Sequence, residues 1–189
     1  MRILAFLISC LFLAACQTPG PQIEKSLPSK DEKVFLYDNF NSENKGNGAL
    51  NYSSFAKWSV SNGSVDLIGN GFHDLLPGNG LYVDLDGTTG DPAILVSKKG
   101  FVLNPGAYRF EYDLAGSQRG DVNSVLIAVG ASFLKKHTLK SEEPFRRYAW
   151  RFHVKKTDPN GYVSFMPQGP GDNIGLILDN VCLVKESEN

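Results

Sequence analysis

The sequence predicts an all-β protein, an antiparallel jelly-roll β-sandwich. Three observations carry this. Short segments with period-two alternation of apolar and polar residues recur from Val34 onward. Glycine, proline, asparagine and aspartate clusters separate them at Asn62-Gly63, Pro77-Gly78, Asp86-Gly87, Pro105-Gly106, 158–161 and Pro170-Gly171. Long connections at 42–56, 70–79, 114–121 and 135–146 suit Greek-key crossings better than the up-and-down barrel that is the alternative.

The segments follow in order. Strands are expected at 34–40 (VFLYDNF), 57–61 (KWSVS), 64–69 (SVDLIG), 81–86 (LYVDLD) and 93–98 (AILVSK). In 107–114 (AYRFEYDL), Tyr108, Phe110, Tyr112 and Leu114 share one face, opposite Arg109, Glu111 and Asp113. Further strands are 124–130 (SVLIAVG), 148–154 (YAWRFHV), 162–166 (YVSFM) and 176–184 (LILDNVCLV). Tyr148, Trp150, Phe152 and Val154 form an apolar face, so Trp150 and Phe152, like Trp58, are expected in the core. No segment carries a sustained helical stripe; a short helical turn is expected around Asn51–Lys57.

Residues 1–15 read as a lipoprotein signal peptide. Arg2 precedes an apolar run of signal length, and Leu13-Ala14-Ala15-Cys16 resembles a bacterial lipobox. Cleavage before Cys16 leaves a thiol to take the lipid, and several acyl chains give stable membrane attachment. Gln17, where aspartate would signal inner-membrane retention, points to the outer membrane. Residues 16–33 contain the lipidated cysteine and a tether with three prolines and few large apolar residues. The domain spans 34–185, with a tail at 186–189. Of three cysteines, only Cys182 remains in the mature domain, so no intramolecular disulfide is expected; it reads as a small buried hydrophobe. Net charge is −1, or −2 once Arg2 is removed. There is no basic block, so nucleic acid is not an expected partner.

The stretch 80–90, GLYVDLDGTTG, looks like part of a calcium loop but fails as an EF-hand. Counting from Asp84, the sixth position is Thr89 and the twelfth is Leu95, where glycine and glutamate are required. It reads as a strand and turn, with Leu81, Val83 and Leu85 toward the core and Tyr82, Asp84 and Asp86 on the other face.

The segments 58–60 (WSV), 63–72 (GSVDLIGNGF), 76–90 (LPGNGLYVDLDGTTG), 105–108 (PGAY), 113–120 (DLAGSQRG) and 175–183 (GLILDNVCL) carry a resemblance. They resemble a family of bacterial surface domains found in exported proteins with a C-terminal PEP-type sorting signal. These are similar in layout to galactose-binding-like carbohydrate-binding modules. The resemblance spans nearly all of 34–185; in place of the sorting signal this chain has Cys16. It implies one structural calcium where first and last strands meet, with Asp38, Glu43 and Asp179 as ligands; the plainer reading makes Asp38 and Asp179 strand caps.

Sugar recognition needs an aromatic face and planar polar groups. The candidates are Tyr82, Asp84, Asp113, Gln118, Arg119, Arg151 and His153, with the loop 72–74 (Phe72, His73, Asp74) at the rim. Arg119 can equally hold its loop by pairing with Asp113 or Asp121. Catalysis is not expected: there is no GxSxG or HExxH, and His73, His137 and His153 are scattered. The expected function is non-catalytic glycan or polymer binding by a lipid-anchored envelope protein. The alternative is a structural or adhesion protein with a protein partner.

Overall fold

Period-two alternation becomes two stacked antiparallel sheets. The structure, a computed structural model, describes residues 32–187. The segment expected to be a signal peptide, Cys16 and almost all of the expected tether lie outside them. Eleven strands are formed: β1 (Lys33–Asp38), β2 (Trp58–Ser61), β3 (Asp66–Gly69), β4 (Leu81–Asp84), β5 (Ile94–Ser97), β6 (Gly106–Ala115), β7 (Val122–Val129), β8 (Phe133–Lys140), β9 (Arg146–Val154), β10 (Val163–Gln168) and β11 (Ile177–Lys185).

One sheet has the order β3-β4-β11-β6-β9, with β1 also paired to β11; the other has the order β2-β5-β10-β7-β8. The pairs β7·β8, β6·β9, β5·β10 and β4·β11 nest concentrically, alternating between sheets. A long hairpin wound in this way is a jelly roll. The eleven strands and both hydrophobic clusters are built from residues 33–185, so a chain without residues 1–16 retains the sandwich.

The core is aromatic. Phe165 is fully buried, with ring centroids 5.8 Å from both Trp58 and Tyr112 and 6.4 Å from Phe110. The buried Trp58 indole donates to Asp38 Oδ2 at 2.9 Å, tying β2 to β1 across the two sheets. The expected inward face of 148–154 holds: Tyr148, Trp150 and Phe152 pack against the core. Cys182 is a buried free thiol, and burial together with the nearby Glu111 pushes it up to about 11.

Two expectations are corrected. The connection 135–146 contains β8. Its inward face includes Lys135, whose stem lies against Trp150 with Nζ 4.2 Å from the ring, and His137, whose Nε2 is 2.7 Å from Tyr112 Oη. A lysine stem covers apolar surface and a hydrogen-bonded imidazole can be buried, so the strand forms without a run of apolar residues. The helical turn expected at 51–57 is absent. That segment instead leaves a bridge between Ala49 and Leu67, with the Tyr52 N–H donating to the Val65 carbonyl at 2.8 Å. A single 3-10 turn forms earlier, at Glu43–Gly46.

Candidate functional site

Tyr82 and Asp84 lie on the face of β4 opposite Leu81 and Val83, as the alternation requires, but that face is not open to water. Tyr82 is 0 % exposed and Asp84 1 %. Loop 70–79 and the β8–β9 connection cover it: Leu75 and Leu76 from the first and Phe145 from the second pack on a second cluster of Ile68, Tyr82, Ala115 and Ile177 outside the main core. Tyr82 Oη donates to Asp74 Oδ1 and accepts from the Leu76 N–H, both at 2.8 Å. Burial raises its hydroxyl above the usual phenol range. Tyr82 is therefore a pin beneath the loop and offers no stacking surface.

Asp84 is the centre of the site. It sits directly across from Asp66 in the β3·β4 register, and both carboxylates are buried. Like charges in this arrangement cost stability unless each has donors. Asp66 accepts from the Asn51 N–H at 2.7 Å. Asp84 Oδ1 accepts from the N–H groups of Asp86 at 3.1 Å and Gly175 at 3.0 Å, and Oδ2 accepts from Arg119 Nη2. Position 175 has to be glycine, because a Cβ there would stand 2.3 Å from Asp84 Oδ1. Burial pushes the Asp84 carboxyl up to about 7, against the lowering effect of Arg119.

Arg119 is held by a fixed loop. Gln118, with φ 60, donates from Nε2 to the carbonyls of Gly116 (3.1 Å), Ser141 (2.9 Å) and Glu143 (3.0 Å). Ser141 Oγ accepts from the Gly120 N–H at 2.6 Å. Arg119 Nη1 donates to the Asn173 carbonyl at 2.8 Å, and 30 % of its side chain stays accessible. The result is a hollow of about 160 Å³. Asp66, Asp84, Thr88 and Arg119 line its polar side, Leu50, Ile68 and Leu75 its apolar side, and His73 joins them.

The other expected ligand residues are elsewhere, which corrects the single sugar-binding face. Asp113 is buried and already occupied: Arg147 donates to it from Nε and from Nη2 (3.1 Å), and Asn180 Nδ2 donates at 2.7 Å. Arg151 is 75 % exposed and pairs with Glu186 at 2.7 Å. His153 lines a separate shallow groove of about 450 Å³ with Ser132, Lys155, Lys156 and Asp158. Sequence reasoning missed Asp66 and Thr88. The alternation in 64–69 signalled Asp66, since it puts Asp66 and Ile68 on the same outer face as Tyr82 and Asp84.

The expected calcium ligands do not fit a metal site. Asp38 accepts from the Phe40 N–H and the Trp58 indole. Glu43 accepts from the Ala56 N–H and the Tyr52 hydroxyl. Asp179 accepts from the N–H and the side-chain amide of Asn180. Asn180, with φ 50 at a β-bulge in β11, bridges Asp179 and Asp113 with one amide. Among the described residues no group of three or more His, Cys, Asp or Glu is placed to hold a metal ion.

No protein-family model and no curated protein sequence matches the chain. Solved structures share its fold. The K3 cleaved adhesin domain of Lys-gingipain from Porphyromonas gingivalis is similar at a TM-score of 0.51 and 14 % identity, over 80 % of this chain and 99 % of that one. The K1 adhesin domain of the same protein gives 0.50 and 13 %, over 81 % and 98 %. The CBM22-1–GH10 modules of a Clostridium thermocellum xylanase, complexed with xylohexaose, give 0.51 and 14 %, over 84 % of this chain but 29 % of that one. The resemblance to carbohydrate-binding modules and bacterial surface domains thus holds at the level of the fold.

Proposed function

We infer that this protein is a non-catalytic binding module of the bacterial envelope that takes one sugar unit of a glycan in the Asp84–Arg119 hollow. The observation that carries this reading is the hollow itself: a buried carboxylate and a partly accessible guanidinium, held in place, beside an apolar wall. The remaining N–H groups of Arg119, which Asp84 holds in place, and the Thr88 hydroxyl hydrogen-bond ring hydroxyls, while Leu50, Ile68 and Leu75 meet the C–H face of a ring. At about 160 Å³ the hollow is smaller than the roughly 300–1,000 Å³ usual for small-molecule sites, so it suits a single ring with the polymer outside. Affinity is correspondingly modest. The shared fold with a xylanase-associated binding module and with adhesin domains supports the reading. Attachment through lipidated Cys16 at the outer membrane completes it.

The test is a saccharide panel titrated into ¹⁵N-labelled chain 17–189. Expected is a binder that moves the signals of residues 73, 84, 88 and 119, with affinity at least tenfold weaker in His73→Ala and Arg119→Lys. A panel without binders, together with retention of the domain by an envelope protein, would favour the adhesion alternative. Palmitate incorporation in the native host, lost in Cys16→Ser, tests the anchor separately.

A further inference from the structure

A second cavity, of about 340 Å³, opens where edge strand β1 meets the β2·β5 pair. Its volume falls within the roughly 300–1,000 Å³ of small-ligand sites. Phe35, Leu36 and Phe101 give it an apolar lining, with the two phenyl rings 5.7 Å apart. Lys57, Lys98 and Lys99 give it a cationic one, and no acidic residue lines it.

The lysines are placed against the interest of the fold. Lys57 and Lys98 flank the Trp58–Ser97 pair, and the Lys98 N–H donates to the Lys57 carbonyl at 2.8 Å. Like charges opposed across neighbouring strands destabilise a sheet, and Lys99 adds a third. Among the described residues none of these three, nor Lys33, forms an ion pair. Lys57 Nζ instead donates to the Tyr37 carbonyl and Lys98 Nζ to the Phe55 carbonyl. Each tie uses one of three ammonium protons and fixes where the charge sits, leaving two protons for a ligand. Lys33 Nζ lies 4.9 Å above the Phe35 ring and adds positive charge at the same end. The chain as a whole carries −1, so composition does not account for this concentration.

A monovalent carboxylate would neutralise one of these ammonium groups. A phosphate monoester carries about −1.5 to −2 at pH 7 with three acceptor oxygens, and so meets several at once. The phenyl and leucine lining suits an apolar or ring-shaped body. We propose that this cavity binds a phosphate monoester through Lys57, Lys98 and Lys99, with the body of the ester against Phe35 and Phe101. The same phosphate chemistry is offered by a soluble ester and by a phosphomonoester lipid headgroup. This site is separate from the Asp84–Arg119 hollow and stands without it.

The test uses chain 17–189, which retains the whole sandwich. Inorganic phosphate is titrated into the ¹⁵N-labelled chain, with acetate and chloride at matched ionic strength as controls. Co-sedimentation is measured with phosphatidylcholine vesicles, with and without phosphatidic acid. Phosphate is expected to shift the signals of residues 57 and 97–101 where acetate and chloride do not, and Lys98→Gln/Lys99→Gln to weaken this at least tenfold. Lys57→Gln gives the same readout should the double variant fail to fold. Phosphate binding without sedimentation assigns a soluble ester. Sedimentation that needs phosphatidic acid and is lost in the variants assigns a headgroup. Signals unmoved by phosphate with no dependence on phosphatidic acid, or binding unchanged in the variants, would overturn the site.

Discussion

Replacing Asp84 with asparagine isolates the electrostatics of the hollow. The amide is nearly isosteric and keeps an Oδ1 acceptor for the N–H groups of Asp86 and Gly175, but it has no titratable proton. In the native protein burial raises this carboxyl from 3.8 to about 7. Between those values the folded state holds a proton that the unfolded chain has released. The contribution of Asp84 is therefore most favourable below pH 4 and declines as pH rises to 7, by up to about 1.4 kcal/mol per pH unit. Over about three units this amounts to about 4 kcal/mol. The sign is opposite to that of a carboxylate whose cation dominates. Urea unfolding of both proteins, followed by tryptophan fluorescence from pH 4 to 8, measures it, because titrating groups remote from the hollow cancel in the difference. The stability difference should move toward Asp84→Asn by about 4 kcal/mol between pH 4 and 7 and level off above pH 8. Parallel profiles, or movement toward the native protein as pH rises, would show that the attraction of Arg119 matches or outweighs burial and would refute the reasoning.

Three further outcomes are expected. Phe165→Ala removes the ring shared by Trp58, Phe110 and Tyr112 and should cost about 3–5 kcal/mol in denaturant unfolding, with the sheets still formed by circular dichroism. Trp58→Phe leaves the buried Asp38 without its indole donor; a loss of about 1–3 kcal/mol is expected in the same assay, and a neutral result would mean that the hydrogen bond does not tie the sheets. Chelator should leave the calorimetric unfolding temperature unchanged, since Asp38, Glu43 and Asp179 serve separate N–H and O–H donors; an increase with added calcium would restore the ion.

The sequence was most legible where a residue's neighbours in the chain decide its fate. Alternation in 107–114 and 148–154 identified the inward aromatics of β6 and β9, and the turn residues marked most strand ends. It was silent about β8, where Lys135 and His137 hold inward positions that a hydrophobicity pattern assigns to solvent. In the site, Asp84, Arg119 and the rim residue His73 are brought together and were all named from sequence, but for a surface that does not exist as expected.

What the sequence determined by itself is which side of each strand a residue takes, because the pleat makes that a matter of counting. Leu81 and Val83 had to oppose Tyr82 and Asp84, and two sheets had to enclose the first pair. What covers the second pair was decided only in three dimensions. Loop 70–79 folds over β4, and Arg119 arrives from 35 positions away. Asp113, equally outward by count, is claimed instead by Arg147 and Asn180, 34 and 67 positions distant. A carboxylate's role follows from the donor that reaches it. Donors this far along the chain are chosen by how the strands are wound, which no local pattern records.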